Sequence, residues 1–568
     1  MPRRPKPLKI LIVGGYGTFG GRLARLLAHD ARAHLIISGR SLAKGEAFCR
    51  TLPEGAERSA LVFDRQGDVE AGLKAIAPHV VVDATGPFQA YGDDPYRLVR
   101  AAIATGVDYL DLADGSAFVE GVSAFDAEAK ARGVTVLSGV STVPVLTAAA
   151  VRRLAAGMER VDAMAAGIAP SPRAGVGLNV IRAITAYAGK PVRVLRDGQW
   201  VEATGIVDGG RFTIAPPGVF PLNHLRFTLV DTPDLTIMPR LWPSLRTVWI
   251  GAGPTPELLQ TLLIGLSRLV RIGLIPTLEP LSPLFHRVLN VLRWGANRGG
   301  MFVTVRGVAG GEPVERSWHL IAEGSDGPMI PSMPAVALLK RRLDGERFEP
   351  GARASTREVE LEDYQPLFDA HAISTGIREA SRTTAAQPLY RRLLDEAWDR
   401  LPEPVRDLHD LNGSAVFEGR CEVERGSGPL AALAALIMGL PKAGRDVPVR
   451  VEFGIDGDGA EVWRRSFDGK ALVSVQAEGS GLSQWLIDER FGPITLGLGI
   501  VVSPDSGRLS VLLRRWSLFG LPIPRFLGPR GGGSEFVDDE GRFRFDVDLG
   551  FALIGRIVRY SGWLKRAA

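Results

Sequence analysis

Cysteine is nearly absent from this chain: 568 residues carry two, Cys49 and Cys421. Two thiols so far apart cannot build a disulfide framework, and no CxxC pair exists to hold a metal. A disulfide-stapled secreted scaffold is therefore excluded, a reducing compartment is expected, and no metal site is predicted. The sequence also lacks a P-loop lysine motif, an H-E-x-x-H helix and a G-x-S-x-G nucleophile turn, so three common hydrolytic chemistries have no signature here. There is no internal repeat and no long low-complexity tract. Charge of one sign is scarce as well: 68 basic against 63 acidic side chains leave +5, too little to imply nucleic acid. The local basic groups Arg514-Arg515-Trp516 and Arg556 to Arg559 read as solvated strand flanks. Long apolar runs are equally scarce. Val134 to Val151 is uncharged, but Ser, Gly, Thr and Pro divide it, and no segment reads as a transmembrane helix. The first strand starts by residue 8, which leaves no room for a signal peptide, and a cytoplasmic protein is expected.

What is present is the composition of a multidomain globular protein, with 45% apolar and 23% charged residues. The most informative segment is Leu8 to Gly21, LKILIVGGYGTFGG, an apolar strand that runs into a glycine-rich turn and then a helix. Gly15, Gly17 and Gly20 satisfy G-x-G-x-x-G, and Gly14 adds a second register. Such glycines permit the tight turn, let a pyrophosphate approach bare backbone, and let the helix pack on the sheet. The helix start, with Thr18, Phe19 and Gly20, offers free N–H groups and a positive dipole end to phosphates. Past a second strand, His34 to Ser38, the chain carries Gly39-Arg40-Ser41 where an NAD-type site usually places a carboxylate. A guanidinium beside a hydroxyl suits a 2′-phosphate instead, so the expected cofactor is NADP(H), with Arg40 and Ser41 as contacts. Two further strand ends, Ala60 to Phe63 before Asp64 and His79 to Val82 before Asp83-Ala84-Thr85-Gly86, place Asp64, Ala84, Thr85 and Gly86 where a dinucleotide lies in an open parallel sheet. Strands alternating with helices through residue 137 predict an α/β, Rossmann-type doubly wound parallel sheet over residues 1–150.

The runs GGYGTFGG, ISGRS, VVDATGPFQAYG, DYLDLADG and VLSGVSTVP resemble the NADP-binding domain of saccharopine dehydrogenase-like oxidoreductases. Later, WHLIAEGSDGPMIPSMPAVALLKRRLDG is similar to the strand and returning helix that complete such reductases. The resemblance covers residues 8 to about 355. It implies NADP-dependent redox chemistry and supports Gly14, Gly15, Gly17, Gly20, Arg40 and the 84–86 loop as cofactor contacts. It supplies no catalytic residue.

Residues 151–360 read as an α+β second domain, the usual place for substrate in two-domain reductases. Strands are expected over Val192 to Gly205, Arg211 to Ile214, Leu225 to Val230, Arg246 to Ile250, Met301 to Val308 and Trp318 to Ala322. Within it, Leu258, Leu259, Leu262, Leu263, Leu266, Leu269 and Val270 follow helical spacing, with Gln260, Thr261, Arg268 and Arg271 opposite. A second amphipathic helix sets Leu284, Phe285, Val288, Leu289 and Leu292 against His286, Arg287, Asn290 and Arg293. With Trp294 nearby, this basic pair over 258–294 suits a membrane interface or a cover for an apolar substrate; a helical hairpin packed on the sheet with solvated arginines is an equal alternative. His224 and His319 are candidate proton donors for a hydride-transfer product, and Tyr91, Tyr109 and Asp111 lie toward the nicotinamide edge. The acid itself is not identified.

Residues 361–387 read as a linker, chiefly because Ser374 to Gln387 is small and polar. Residues 388–568 read as a β-rich (α+β) domain: Val449, Val451 and Phe453 alternate with Arg450 and Glu452, and Phe543, Phe545 and Val547 with Arg544 and Asp546. It is similar to an uncharacterised domain that often follows such reductases in bacterial proteins. A structural or dimerising role and a lipid-like ligand are both open for it. The sequence thus points to an NADP-dependent oxidoreductase transferring hydride to a C=O, C=N or activated C=C bond of an apolar or lipid-like substrate. Saccharopine-type amino-acid chemistry, needing convergent cations such as Arg173, Arg182 and Arg193, and a non-catalytic NADP-binding sensor are the alternatives. Oligomeric state is left open.

Overall fold

The computed structural model describes residues 6–567 apart from 176, 254–255, 292–294, 325 and 552–553. Its contacts divide into two compact units. One comprises residues 1–210 and 226–374, the other 211–225 and 375–568.

The first unit opens with strands β1 (Leu8–Val13), β2 (Ala33–Gly39), β3 (Glu57–Val62), β4 (Val80–Asp83), β5 (Asp108–Asp111) and β6 (Thr135–Ser138). They are arranged 3-2-1-4-5-6, all parallel, with a seventh strand, Gly351–Ala354, beside β6. This is a Rossmann-type, doubly wound sheet. Strands buried on both faces need continuous apolar runs, and Ile10, Leu11, Ile12 and Val13 are all essentially inaccessible. Register aligns the strand ends: Val13 pairs with Ser38 and with Asp83, and Asp83 with Asp111. The loops that follow β1, β2, β4 and β5 therefore leave from one edge.

Past β6 the same unit builds a second, mostly antiparallel sheet. Thr247–Ala252, Arg160–Ala169, Arg298–Ala309 and Glu312–Glu323 lie side by side in that order, the first two parallel. The chain then returns through the helix Met333–Leu343, whose preceding Ser332 hydroxyl donates to the Phe19 carbonyl at 3.1 Å, before joining the parallel sheet. A separate hairpin, Pro191–Arg196 with Gln199–Thr204, carries Arg193 over the Trp200 ring.

The span 361–387 is not a linker in its first half. Leu361–Asp369 is a helix that buries Tyr364, Leu367 and Phe368, and Ile373–Ala380 is a strand. The small polar residues near 381–387 obscured that pattern; there Ser381 caps the short helix Arg382–Ala385. The boundary between the units falls within the strand, at Ser374.

The second unit contains a ten-stranded antiparallel β-barrel. Each strand from Ala415–Arg425 to Gly555–Arg566 pairs with a strand next to it in the chain, and the last closes on the first, Phe417 against Arg566 through Arg425 against Val558. A short hairpin strand, Leu521–Ile523, is appended to Leu509–Leu518. The alternation read from the sequence is realised: Val449, Val451 and Phe453 are inside and buried, with Arg450 on the outer face. Full closure removes the unpaired sheet edges that an open sheet would present.

Candidate functional site

The turn after β1 is built from close backbone approaches. Gly14 has φ +79°, and its N–H and that of Gly15 both donate to the Ser38 carbonyl, at 3.0 and 2.9 Å. Gly17 N–H donates back to the Gly14 carbonyl at 2.8 Å. A methyl carbon at Gly20 would sit 2.4 Å from that same carbonyl oxygen, and one at Gly15 would meet the Ile12 carbonyl at 2.9 Å. These positions cannot carry a side chain without moving backbone. The helix α1 (Thr18–Leu27) starts at Gly17 with no side-chain cap and no acidic residue in its first turn. Gly17 and Thr18 are exposed. The first N–H groups of a helix have no intrahelical acceptor, so an uncapped, exposed helix start is a cradle for phosphate.

The neighbouring loop is held by Tyr16. Its hydroxyl accepts the Ser41 N–H at 3.0 Å, and its ring lies against Gly39, where an added Cβ would meet it at 2.5–2.6 Å. The Ser41 hydroxyl caps the next helix by accepting Lys44 N–H at 3.4 Å. Arg40 is exposed and has no hydrogen-bond or ion-pair partner among the described residues. It leaves its guanidinium unengaged at the end of β2, the strand that pairs with β1 and the glycine turn. Asp64 is exposed just beyond β3, and its carboxylate accepts Gln66 N–H at 2.9 Å in a turn.

The loop after β4 is fixed from within. The Asp83 carboxylate accepts the Thr85 N–H at 3.1 Å and the Thr85 hydroxyl at 2.6 Å, while Tyr91 places its hydroxyl 2.6 Å from that of Thr85. The Arg65 guanidinium stacks 3.3 Å over the Tyr91 ring. Burial pushes the Asp83 carboxyl up, opposed by the Thr85 hydroxyl and by Arg65. Ala84 N–H donates to the Val13 carbonyl at 2.9 Å, which ties this loop to the glycine turn. Asn179, at the start of the helix Leu178–Tyr187, donates to the Gly86 carbonyl at 3.0 Å. Spacing along the chain gave no sign of Arg65 or Asn179, because each reaches the loop only through the fold.

The candidate proton donors separate. Tyr109 is 1% exposed within the hydrophobic core of the parallel sheet. Asp111 accepts the backbone N–H groups of Gly139 and Ala113, at 2.8 and 3.0 Å, and burial raises its carboxyl to about 7. It pins the β5 and β6 exits. His319 is buried with Nε2 2.9 Å from the Ser317 hydroxyl. His224, with φ +53°, donates its backbone N–H to the Thr213 hydroxyl at 3.1 Å and belongs to the other unit. The glycine turn, the Arg40 loop and the 84–86 loop are thus brought together at one sheet edge.

The amphipathic stretch is partly inverted. In the helix Glu257–Arg271 the buried residues are Gln260, Ile264 and Ser267, so Gln260 of the polar face opposite the leucines turns inward. Its amide donates to the Ala252 carbonyl at 3.3 Å. Ser267 lies where Gly189 comes close, a Cβ there meeting the Ser267 carbonyl at 2.2 Å. In the helix Ser282–Val291, Ser282 meets the Thr185 hydroxyl at 2.8 Å. Ile264 and the polar Gln260, Ser267 and Ser282 thus make the inner seam, and Leu258, Leu262, Ile272, Leu274, Leu284 and Val291 are left outside. Arg268, Arg271 and Arg287 are exposed beside them. Leu292, Arg293 and Trp294 lie outside the described residues. No helix among the described residues is long and apolar enough to cross a membrane.

Residues 10–137 match the saccharopine dehydrogenase NADP binding domain, and residues 401–564 match a domain of unknown function, DUF4166. No curated protein matches the chain. Among solved structures, it is similar to biliverdin reductase of Synechocystis sp. in complex with biliverdin and NADP+, at 13% identity over 63% of this chain and 95% of that one, with a TM-score of 0.27. It is also similar to the WlbA dehydrogenase of Thermus thermophilus in complex with NAD and α-ketoglutarate, at 12% identity over 63% and 94%, with a TM-score of 0.29.

Proposed function

We propose that this chain, an NADP(H)-dependent oxidoreductase by its saccharopine dehydrogenase-type binding domain, reduces a C=O, C=N or activated C=C bond of an apolar, lipid-like substrate taken at a membrane surface. The nicotinamide supplies hydride when bound. The chain's own residues supply the rest. The exposed start of α1 and the bare glycines receive the pyrophosphate, and Arg40 with Ser41 receives the 2′-phosphate. The Asp83–Thr85–Tyr91 network holds the 84–86 backbone rigid against the dinucleotide, and Asn179 fixes Gly86 from the second sheet's side.

One observation carries the choice of an apolar substrate: the outward face of the 257–291 helices. Leu258 and Leu262 are 59% and 58% exposed, and Ile272 and Leu274 exceed 70%. Exposed apolar residues interspersed along these helices with exposed arginines suit the boundary of an anionic bilayer, where leucines enter the acyl region and arginines meet lipid phosphates. Amino-acid substrates gain nothing from such a face. Arg193 is already engaged with Trp200, which weakens a convergent carboxylate clamp. The site is peripheral and on the cytoplasmic side in this reading.

The test follows NADPH oxidation by the purified protein over a panel of long-chain ketones, aldehydes and enoyl esters, with and without anionic vesicles, alongside saccharopine-type amino-acid substrates. Turnover of a long-chain substrate, accelerated by vesicles, is expected. Turnover of the amino-acid substrates alone would overturn the substrate class, and tight NADPH binding with no turnover anywhere would make the protein a sensor.

A further inference from the structure

The barrel of the second unit is not filled. Its interior holds a cavity of about 470 Å³, within the roughly 300–1,000 Å³ range of small-molecule pockets. Inward positions on successive strands are apolar, as alternation requires, yet Leu496, Val511, Leu513, Val547 and Leu549 remain only partly buried although they point into the barrel. One cause is visible in the strand Pro529–Val537. Gly533 pairs with Val511 on one side and Val547 on the other, and a Cβ built there would meet them at ordinary distances, 3.9 and 3.5 Å. Nothing steric forbids a side chain at Gly533. Its absence leaves space at the centre of an apolar wall.

The polar groups of the cavity are concentrated and mutually matched. Arg465 donates to Glu489 at 3.0 Å and to the Ser474 hydroxyl at 2.8 Å, and lies over the Trp463 ring. The same Glu489 oxygen takes the Ser474 hydroxyl and the Gln476 amide, at 2.7 and 3.1 Å. Tyr390 donates to the Gln476 carbonyl oxygen at 3.1 Å and stacks on His409, whose Nε2 is 2.5 Å from Glu535. A barrel that needed only to be stable would fill its interior with hydrocarbon; a hydrogen-bonded polar cluster beside an open apolar void is instead the composition of a ligand pocket.

We propose that the barrel is a second binding compartment, independent of the dinucleotide site, for an elongated apolar molecule with an uncharged, hydrogen-bonding head such as an alcohol or ester. The head is uncharged because Arg465 and Glu489 already pair with each other. A carboxylate would add an anion beside Glu489 and Glu535 and compete for the one arginine that Glu489 holds, whereas an ammonium group would face Arg465. Either charge would have to break or crowd the Arg465–Glu489 pair to be accommodated. A neutral hydroxyl or carbonyl can join the network and leave the Arg465–Glu489 pair intact.

The experiment uses the full chain and three probes of equal length, 1-decanol, decanoate and decylammonium, titrated by calorimetry near neutral pH. Saturable binding of 1-decanol, at least about tenfold tighter than either charged probe, is expected. Gly533→Leu, which places a side chain in the void, should weaken decanol at least about tenfold while NADPH binding by the other unit stays unchanged. Leu496→Trp fills the same space from another strand and serves if Gly533→Leu does not fold. Absence of saturable decanol binding, or binding indifferent to both filling variants, would overturn the compartment. Equal or tighter binding of a charged probe would overturn the neutral head. Because no arm requires turnover, failure here leaves the reductase reading standing, and failure of that reading leaves this one.

Discussion

At Gly20 a single methyl carbon would be placed 2.4 Å from the Gly14 carbonyl oxygen, a contact that only backbone movement could relieve. Gly20→Ala is therefore expected to destabilise the first unit by about 1–3 kcal/mol and to abolish measurable NADPH binding, read by thermal melting and by titration. A variant that binds NADPH normally would show that α1 packs less tightly than this. Buried carboxyls provide a second residue-scale prediction. Burial raises both Asp111 and Asp234 to about 7, partly offset for Asp234 by the Thr147 and Thr232 hydroxyls. In the unfolded chain such groups ionise near 4. Between about pH 4 and 7 the folded state binds the extra protons, so these groups lower stability as pH rises, by at most about 1.4 kcal/mol per pH unit each. Asp234→Asn should flatten that slope in denaturant titrations, and an unchanged slope would sink the assignment. The glycine turn and the Arg40 loop were legible in the sequence because each is formed within a few residues of a strand end. Arg65, Asn179 and Tyr16 were not, since each acts on a loop distant in sequence and none belongs to a spacing pattern.

The helices Glu257–Arg271 and Ser282–Val291 show how an element can be recognised while its orientation stays open. Periodicity placed both helices correctly, but it assigns an apolar stripe to the interior by default. Here Gln260, Ser267 and Ser282 are internal because the neighbouring backbone comes close, at Ala252 and Gly189, and that proximity is not written in the helix itself. Replacing Leu258 and Leu262 together by Asp is expected to abolish flotation with anionic vesicles and to leave NADPH affinity unchanged. Undiminished flotation would place any membrane contact elsewhere. The segment 361–387 illustrates the opposite error: Tyr364, Leu367 and Phe368 are buried on one helix, but that apolar set was assigned together with the polar residues that follow it.

Over the whole molecule, the three-layer beginning was readable because its strands and helices alternate at short range. Barrel closure was not, because it depends on pairing Ala415–Arg425 with Gly555–Arg566 across the full length of the domain. Nor was the inclusion of residues 211–225 in the second unit. There Val502 N–H donates to the Gly218 carbonyl at 2.9 Å, Asn223 donates to the Gln484 carbonyl at 2.7 Å, and buried Arg378 donates to the Ala215 and Leu393 carbonyls. A fragment of residues 375–568 lacks Ala215, Gly218 and Asn223 and should melt well below the same transition in the full chain; identical melting would show that the excursion contributes no stability. The central claim, that this protein is an NADPH-dependent enzyme reading the 2′-phosphate through Arg40, is tested most directly by calorimetric titration of the full chain with NADPH and with NADH, repeated on Arg40→Ala. Loss of one charge-assisted phosphate contact should weaken NADPH by about 10- to 100-fold and leave NADH nearly unchanged. Equal effects on both cofactors, or no binding of either by the unmodified protein, would contradict it.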